Sequence, residues 1–153
     1  MAEQILKALS VDHIDILVNN AATERNTPLL EVKEEQLEYE FSVNVFGVIH
    51  MTQAVVGVGR IPKGGRIVNI GSISSKILVP PLYMLGKSRG ITVNTLAPGP
   101  VPTDMSKAYL VAPDGSPSAL QLSMYEQTRA ADRVGSVEDV ADATLLLVSE
   151  TSR

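Results

Sequence analysis

The stretch that decides the fold is IDILVNNAA, residues 14–22. Its first five residues, 14–18, form a short apolar run rich in β-branched side chains, and the polar pair Asn19-Asn20 ends the run. Such a run predicts a strand that is buried on both faces, as strands in parallel sheets are. The small and polar residues that follow predict a turn at the end of that strand.

Helical and extended patterns alternate along the rest of the chain. Residues 31–56 predict a helix with acidic first turns that is closed by Gly57 and Gly59. Residues 66–70 and 91–96 predict two further strands. Residues 98–117 predict a long loop. Ser136 opens a capping-box pattern before a last helix. This order predicts an α/β protein with a parallel sheet and right-handed crossovers.

Composition excludes several function classes. The 153 residues carry a formal net charge of −4 and contain no Cys and no Trp. We therefore expect no nucleic-acid partner and no anionic membrane surface, because both need clustered Lys and Arg. Without Cys there are no disulfides and none of the strongest zinc signatures, so no metal site is predicted. No apolar run approaches the ~18 residues of a spanning helix, and we expect a cytoplasmic protein.

Three predicted strand ends carry small or polar residues, and the ligand of a parallel sheet lies at the carboxyl ends of the strands. These segments are Asn19-Asn20-Ala21-Ala22, Gly71-Ser72 and Pro98-Gly99. Each alone is explained as an ordinary turn, whereas the three together predict a binding edge.

Three further residues stand out in the predicted helices. Asn44 interrupts an apolar face made by Leu37, Phe41, Val48 and Met51, either as a buried side chain bonded to the backbone or as a functional group. Tyr83 and Lys87 are spaced i and i+4, which places both on one helix face. An adjacent ammonium lowers the pKa of a phenol from ~10 toward the range in which it can exchange protons.

In combination these residues resemble the short-chain dehydrogenase/reductase family. The matching segments run nearly the whole length of the chain, in the family's order: Asn19-Asn20-Ala21-Ala22, Asn44-Val45-Phe46-Gly47, Asn69-Ile70-Gly71-Ser72, Tyr83-x-x-x-Lys87, Asn94-Thr95-Leu96-Ala97-Pro98-Gly99-Pro100-Val101-x-Thr103, and residues 133–141. The resemblance implies a Rossmann-like parallel sheet with flanking helices. It also implies NAD(P)-dependent hydride transfer between a small-molecule carbonyl, such as a 3-oxoacyl-like ketone, and an alcohol, with NADP slightly favoured over NAD.

The resemblance also assigns roles to single residues. Tyr83 would be the general acid or base, and Lys87 would lower its pKa and bind the nicotinamide ribose. Ser72 would polarise the carbonyl, and Asn44 would hold a proton-relay water. The cofactor cleft would be lined by Asn20, Ala21, Ala22, Ile70, Pro98, Gly99, Val101 and Thr103, together with Tyr83 and Lys87, and the loop after Thr103 would cover the substrate.

The chain also departs from the family pattern. No strand–TGxxxGxG–helix unit precedes Asn19, the region around Tyr83 and Lys87 is short, and no last strand follows the final helix. We therefore expect residues 1–153 to form a single, partial NAD(P)-binding domain of a truncated family member, in which the homo-oligomers usual for the family remain possible. The alternative is a non-catalytic remnant that acts as a binding or interaction module. A hydrolase built on Ser72 is a remote third interpretation, because the serine lies outside a Gly-x-Ser-x-Gly setting.

Overall fold

The computed structural model describes residues 2–25, 27–72, 90–125 and 133–152. Its strands are β1 (Ile16–Asn19), β2 (Arg66–Ile70) and β3 (Thr92–Leu96). Its α-helices are α1 (Ala2–Leu9), α2 (Glu34–Phe41), α3 (Val48–Val56), α4 (Lys107–Leu110), α5 (Ala119–Tyr125) and α6 (Val137–Val148). Leu29–Glu31 and Glu150–Ser152 are short 3-10 helices, and Ser42–Gly47 is a π-helical segment between α2 and α3. Within this described part of the chain, no helix is both long enough and apolar enough to cross a membrane.

The three strands form one parallel sheet in the order β1-β2-β3. Asn19 is in register with Asn69, and Asn69 is in register with Thr95, so the carboxyl ends of all three strands meet at one edge. α3 packs against β1, and α6 packs against β2 and β3. The predicted α/β class, with a parallel sheet and flanking helices, is confirmed.

The core lies between the sheet and α3. Its buried members are Leu17, Val55, Ile61, Ile67 and Ile91, each at most 8% exposed. Burial of these side chains supplies the main driving force for packing α3 on the sheet, at about 1.5–3 kcal/mol for each fully buried aliphatic side chain.

The prediction that the first strand is buried on both faces is wrong. Leu17 and Asn19 are buried, but Ile16 and Val18 are 39% and 40% exposed. Alternate residues of a strand point to opposite faces. α3 covers the face of Leu17, and the other face of β1 is left open by the described residues. The strand also starts at Ile16 rather than at residue 14.

The predicted helix over residues 31–56 needs correction as well. α2 begins only at Glu34, after the separate 3-10 turn, and the π-helical segment separates it from α3. A π-turn adds a residue to the helical repeat, so it rotates the residues on either side of it out of a common 3.6-residue face. Phe41 is 54% exposed and Asn44 is exposed, whereas Thr52 and Val55 of α3 are buried. The helix ends at Val56, where Gly57 and Gly59 were expected to close it.

The predicted loop over residues 98–117 contains regular structure. It includes α4 and an antiparallel bridge between Val111 and Pro117, which closes a turn through Gly115 at φ +84°. The third strand begins at Thr92, one residue later than expected. The capping box at Ser136 is confirmed, because its hydroxyl accepts from the Asp139 N–H and the Asp139 carboxylate accepts from the Ser136 N–H.

The Asp139 carboxylate at the start of α6 makes the stability of the fold depend on pH in the acid range. The neighbouring Arg133 guanidinium donates two hydrogen bonds to the carboxylate, of 2.6 and 3.0 Å, and holds the pKa of Asp139 far below its usual range. A carboxyl with a depressed folded-state pKa contributes stability above its unfolded pKa and loses it as the pH falls through the folded value. We expect Asp139→Asn to lower the Tm at pH 7, and this deficit to shrink progressively as the pH falls below the unfolded-state pKa of about 4. A deficit that is the same at every pH would contradict this assignment.

Candidate active site

The edge at the carboxyl ends of the strands is the candidate site. Asn20, Ala21 and Ala22 follow β1, and Gly71 and Ser72 follow β2, all of them exposed. The Gly71 N–H donates to the Leu96 carbonyl at 2.8 Å, which joins the loop after β2 to the end of β3. The parallel register therefore brings together the three segments that were predicted to form a binding edge.

A network of buried polar side chains next to this edge joins β1, β2 and α3. The Asn19 amide donates to Asn69 Oδ1 at 2.8 Å and, at 3.4 Å, to Thr52 Oγ1 on α3. Asn19 and Thr52 are 9% and 7% exposed. Buried polar groups of this kind are costly unless they are paired, so the network fixes the relative positions of β1, β2 and α3. Sequence reasoning missed Thr52, although its spacing of three from the buried Val55 places it on the sheet-facing side of α3.

Asn44 lies in the π-helical segment and clamps the loop after β1. Its side-chain oxygen accepts from the Thr23 N–H at 2.9 Å, and its NH₂ group donates to the Thr23 carbonyl at 2.8 Å. This corresponds to the backbone-bonded interpretation of Asn44, except that the side chain is exposed rather than buried. The pair of bonds fixes the loop that carries Asn20, Ala21 and Ala22.

Side chains of α2 also form hydrogen bonds with the loop after β1, and the sequence did not indicate these contacts. The Glu40 carboxylate accepts from the Arg25 N–H at 3.0 Å and from the Gln36 amide at 3.0 Å, and the Gln36 amide also donates to the Arg25 carbonyl at 3.2 Å. The Arg25 guanidinium lies 5.3 Å from the centroid of the Tyr39 ring. No local motif marks these residues, because their contacts depend on how the loop folds back over the helix.

The third segment of the edge runs from Pro98 to Thr103. A Cβ at Gly99 would meet no atom within 4 Å, so the backbone there faces open space. Val101 is half-buried, and Thr103 is exposed. Ser106 folds this segment into a closed turn, since its hydroxyl lies 2.6 Å from the Val101 carbonyl and 2.9 Å from the Thr103 N–H.

Two of the predicted site residues, Tyr83 and Lys87, lie outside the described residues. Ile70, predicted to line the cleft, is half-buried at the end of β2. The segment after Thr103 contributes Tyr109, whose pKa is raised by partial burial and, to a smaller extent, by the charge of Glu24. Among the described residues, no three His or carboxylate groups gather as metal ligands.

In open parallel α/β sheets, nucleotides and other ligands bind at the carboxyl edge of the strands, where this chain places its three small or polar loops. A family profile described as "short chain dehydrogenase" matches residues 1–84, and one described as "Enoyl-(Acyl carrier protein) reductase" matches residues 82–153. The chain belongs to the short-chain dehydrogenase/reductase family.

Relatives with curated names support this membership. The chain is 33% identical over 125 residues to a 3-oxoacyl-(acyl-carrier-protein) reductase of Vibrio cholerae, covering 69% of this chain and 51% of that protein. It is 30% identical to the corresponding reductase of Haemophilus influenzae, over an alignment that covers 97% of this chain and 66% of that protein. The chain thus spans about half to two thirds of the length of the curated relatives it matches.

Solved structures give the same fold. A short-chain dehydrogenase from Burkholderia cenocepacia, in complex with NADP, is 26% identical with a TM-score of 0.77, covering 99% of this chain and 64% of that chain. A gluconate 5-dehydrogenase from the same organism, in complex with NADP and tartrate, is 28% identical with a TM-score of 0.76, covering 97% and 62%. The fold is a Rossmann-like parallel sheet with flanking helices.

Proposed function

We propose that this chain is an NAD(P)-dependent oxidoreductase that transfers hydride between a 3-oxoacyl-like ketone and the corresponding alcohol. The observation that carries the proposal is the single edge formed by the loops after β1, β2 and β3, in a chain that belongs to this family. Relatives named 3-oxoacyl-(acyl-carrier-protein) reductases support the substrate class. Structural relatives in complex with NADP support the preference for NADP over NAD.

The residues at the edge fit the nicotinamide end of such a cofactor. Small side chains leave the edge open, the Gly99 backbone faces free space, and the exposed residue Thr103 carries a hydroxyl that can form hydrogen bonds. The residues proposed to hold the cofactor are Asn20, Ala21, Ala22, Ile70, Pro98, Gly99, Val101 and Thr103, together with Tyr83 and Lys87. When bound, the cofactor supplies the hydride, and the protein supplies orientation and proton transfer.

Each catalytic role is a proposal about a stated atom. The Ser72 hydroxyl donates a hydrogen bond to the substrate carbonyl oxygen, and the Tyr83 hydroxyl gives that oxygen its proton. The Lys87 ammonium favours the phenolate and so lowers the pKa of Tyr83. A primary amide has two N–H donors and two acceptor lone pairs on oxygen. Asn44 uses one of each on Thr23, and we propose that the second donor and acceptor hold a relay water.

A second candidate function is a non-catalytic binding module within a single, partial NAD(P)-binding domain over residues 1–153. The open face of β1 favours it, because Ile16 and Val18 are about two-fifths exposed on a strand at the edge of the described sheet. Exposed apolar side chains beside an unpaired strand edge favour association with another chain. This candidate predicts that the chain binds a partner and not a nicotinamide dinucleotide.

Titration of the purified chain with NADPH separates the two candidates. We expect the nicotinamide fluorescence to change on binding, and the bound NADPH to be oxidised on addition of a 3-oxoacyl thioester. Acetoacetyl-CoA serves as the substrate, and 3-hydroxybutyryl-CoA is the control thioester that has no ketone to reduce. Absence of both binding and turnover in a folded preparation would overturn the oxidoreductase proposal.

A further inference from the structure

Ser106 is a buried hydroxyl at the centre of the turn that carries Val101 and Thr103. It is 7% exposed and stands directly before α4, the first helix of the segment after Thr103. Its Oγ lies 2.6 Å from the Val101 carbonyl oxygen, 2.9 Å from the Thr103 nitrogen and 3.3 Å from Thr103 Oγ1. A fourth contact, to the Thr103 carbonyl, is longer at 3.4 Å. The resemblance gave Ser106 no role.

The chemistry of the partners fixes the direction of these hydrogen bonds. A serine hydroxyl has one proton and two lone pairs. The shortest contact is to the Val101 carbonyl, which can only accept, so the Ser106 proton points there. One lone pair accepts from the Thr103 N–H. The other lone pair is then left to accept from the Thr103 hydroxyl.

This hydrogen-bond direction determines what Thr103, an exposed residue at the candidate cofactor edge, can offer a ligand. When its proton is donated inward to Ser106, the lone pairs of Thr103 Oγ1 face outward. An outward-facing acceptor pairs with an N–H donor of a ligand and has no good partner in a ligand group that only accepts.

We propose that Ser106 is a positioning residue that makes the Thr103 hydroxyl an acceptor and thereby selects ligands with an N–H donor at this point. This inference rests on the proposed function, in which the N–H donor is the carboxamide NH₂ group of the nicotinamide ring. Ser106 touches no ligand itself and acts through Thr103.

The test compares NADPH with its reduced 3-acetylpyridine analogue, in which a methyl ketone replaces the carboxamide and the N–H donor is lost. We expect the wild-type chain to bind NADPH about tenfold more tightly than the analogue, and this ratio to fall to about two in Ser106→Ala. Ser106→Thr keeps the hydroxyl and restores the ratio. Ser116→Ala is the matched control, since Ser116 is an exposed serine of the same segment whose hydroxyl donates to the Asp114 carboxylate.

A double-mutant cycle shows whether Ser106 acts through Thr103. Thr103→Val lowers the same ratio, and Ser106→Ala adds no further loss in the Thr103→Val background. Additive losses, or an unchanged ratio in Ser106→Ala while the wild type binds NADPH, would overturn this inference alone. Failure of the wild-type chain to bind either dinucleotide would overturn both this inference and the proposed function.

Discussion

Replacing Tyr83 with Phe is expected to lower the kcat for reduction of a 3-oxoacyl thioester about 1,000-fold and to change the Kd for NADPH by less than about twofold. The substitution removes one oxygen, which is the proposed proton donor to the substrate carbonyl. The aromatic ring remains, so the shape of the cleft is retained. Steady-state kinetics and fluorescence titration of the same preparation give the two quantities.

Tyr39→Phe is the matched control for Tyr83→Phe. Tyr39 is 48% exposed on α2 beside Arg25 and has no proposed role in the chemistry, so we expect unchanged kinetics. Activity in Tyr83→Phe within about tenfold of wild type would remove Tyr83 from the chemistry, since a positioned general acid contributes at least about 100-fold. The proton would then come from a different group, and the assignment of Lys87 would fail with it.

Replacing Gly59 with Ala is expected to destabilise the fold by about 3 kcal/mol, the upper range for overpacking a buried position. A Cβ at Gly59 would lie 2.7 Å from both the Cα and the carbonyl oxygen of Val55, which are backbone atoms that cannot rotate away. Val55 belongs to the core, and the Gly59 carbonyl accepts from the Ile14 N–H at 2.9 Å, just before β1. The backbone shift that relieves this clash therefore disturbs both α3 and the residues that lead into β1.

Thermal melts or urea titrations measure this effect, and Gly47→Ala is the control. Gly47 has helical backbone angles, and its added Cβ would lie 3.5 Å from the Ser42 carbonyl oxygen, which is an ordinary contact. Ala is about 1 kcal/mol more favourable than Gly inside a helix. We expect Gly47→Ala to be neutral or stabilising and Gly59→Ala to lower the Tm by about 6–12 °C. Equal effects of the two substitutions would show that the close approach at Gly59 is not what requires glycine.

Local patterns in the sequence located most of the regular elements. Residues 66–70 were predicted as a strand and are β2, and the Ser136 capping box begins α6 as expected. These signals are local, because an apolar β-branched run and an N-cap act over a few residues. The π-helical segment at Ser42–Gly47 left no such signal and changed which side of the helix is buried.

The sequence likewise predicted one part of the candidate site and missed another. Asn20, Gly71 and Gly99 were predicted to share one edge, and the parallel register places their loops there. The supports of that edge were not predicted. Thr52, Gln36 and Glu40 contact it through pairings that join residues 11 to 33 positions apart. The roles of Tyr83 and Lys87 stay predictions.

The sequence by itself determined the family and the α/β order of elements, because those follow from motifs and periodicities within short windows. The tertiary structure alone decided the rest. It exposed one face of β1, turned Asn44 toward the Thr23 backbone, and paired Asn19 with Thr52 and Asn69. The physical reason is that burial and hydrogen-bond direction depend on which distant segment packs on each residue, and no window of the chain contains both partners.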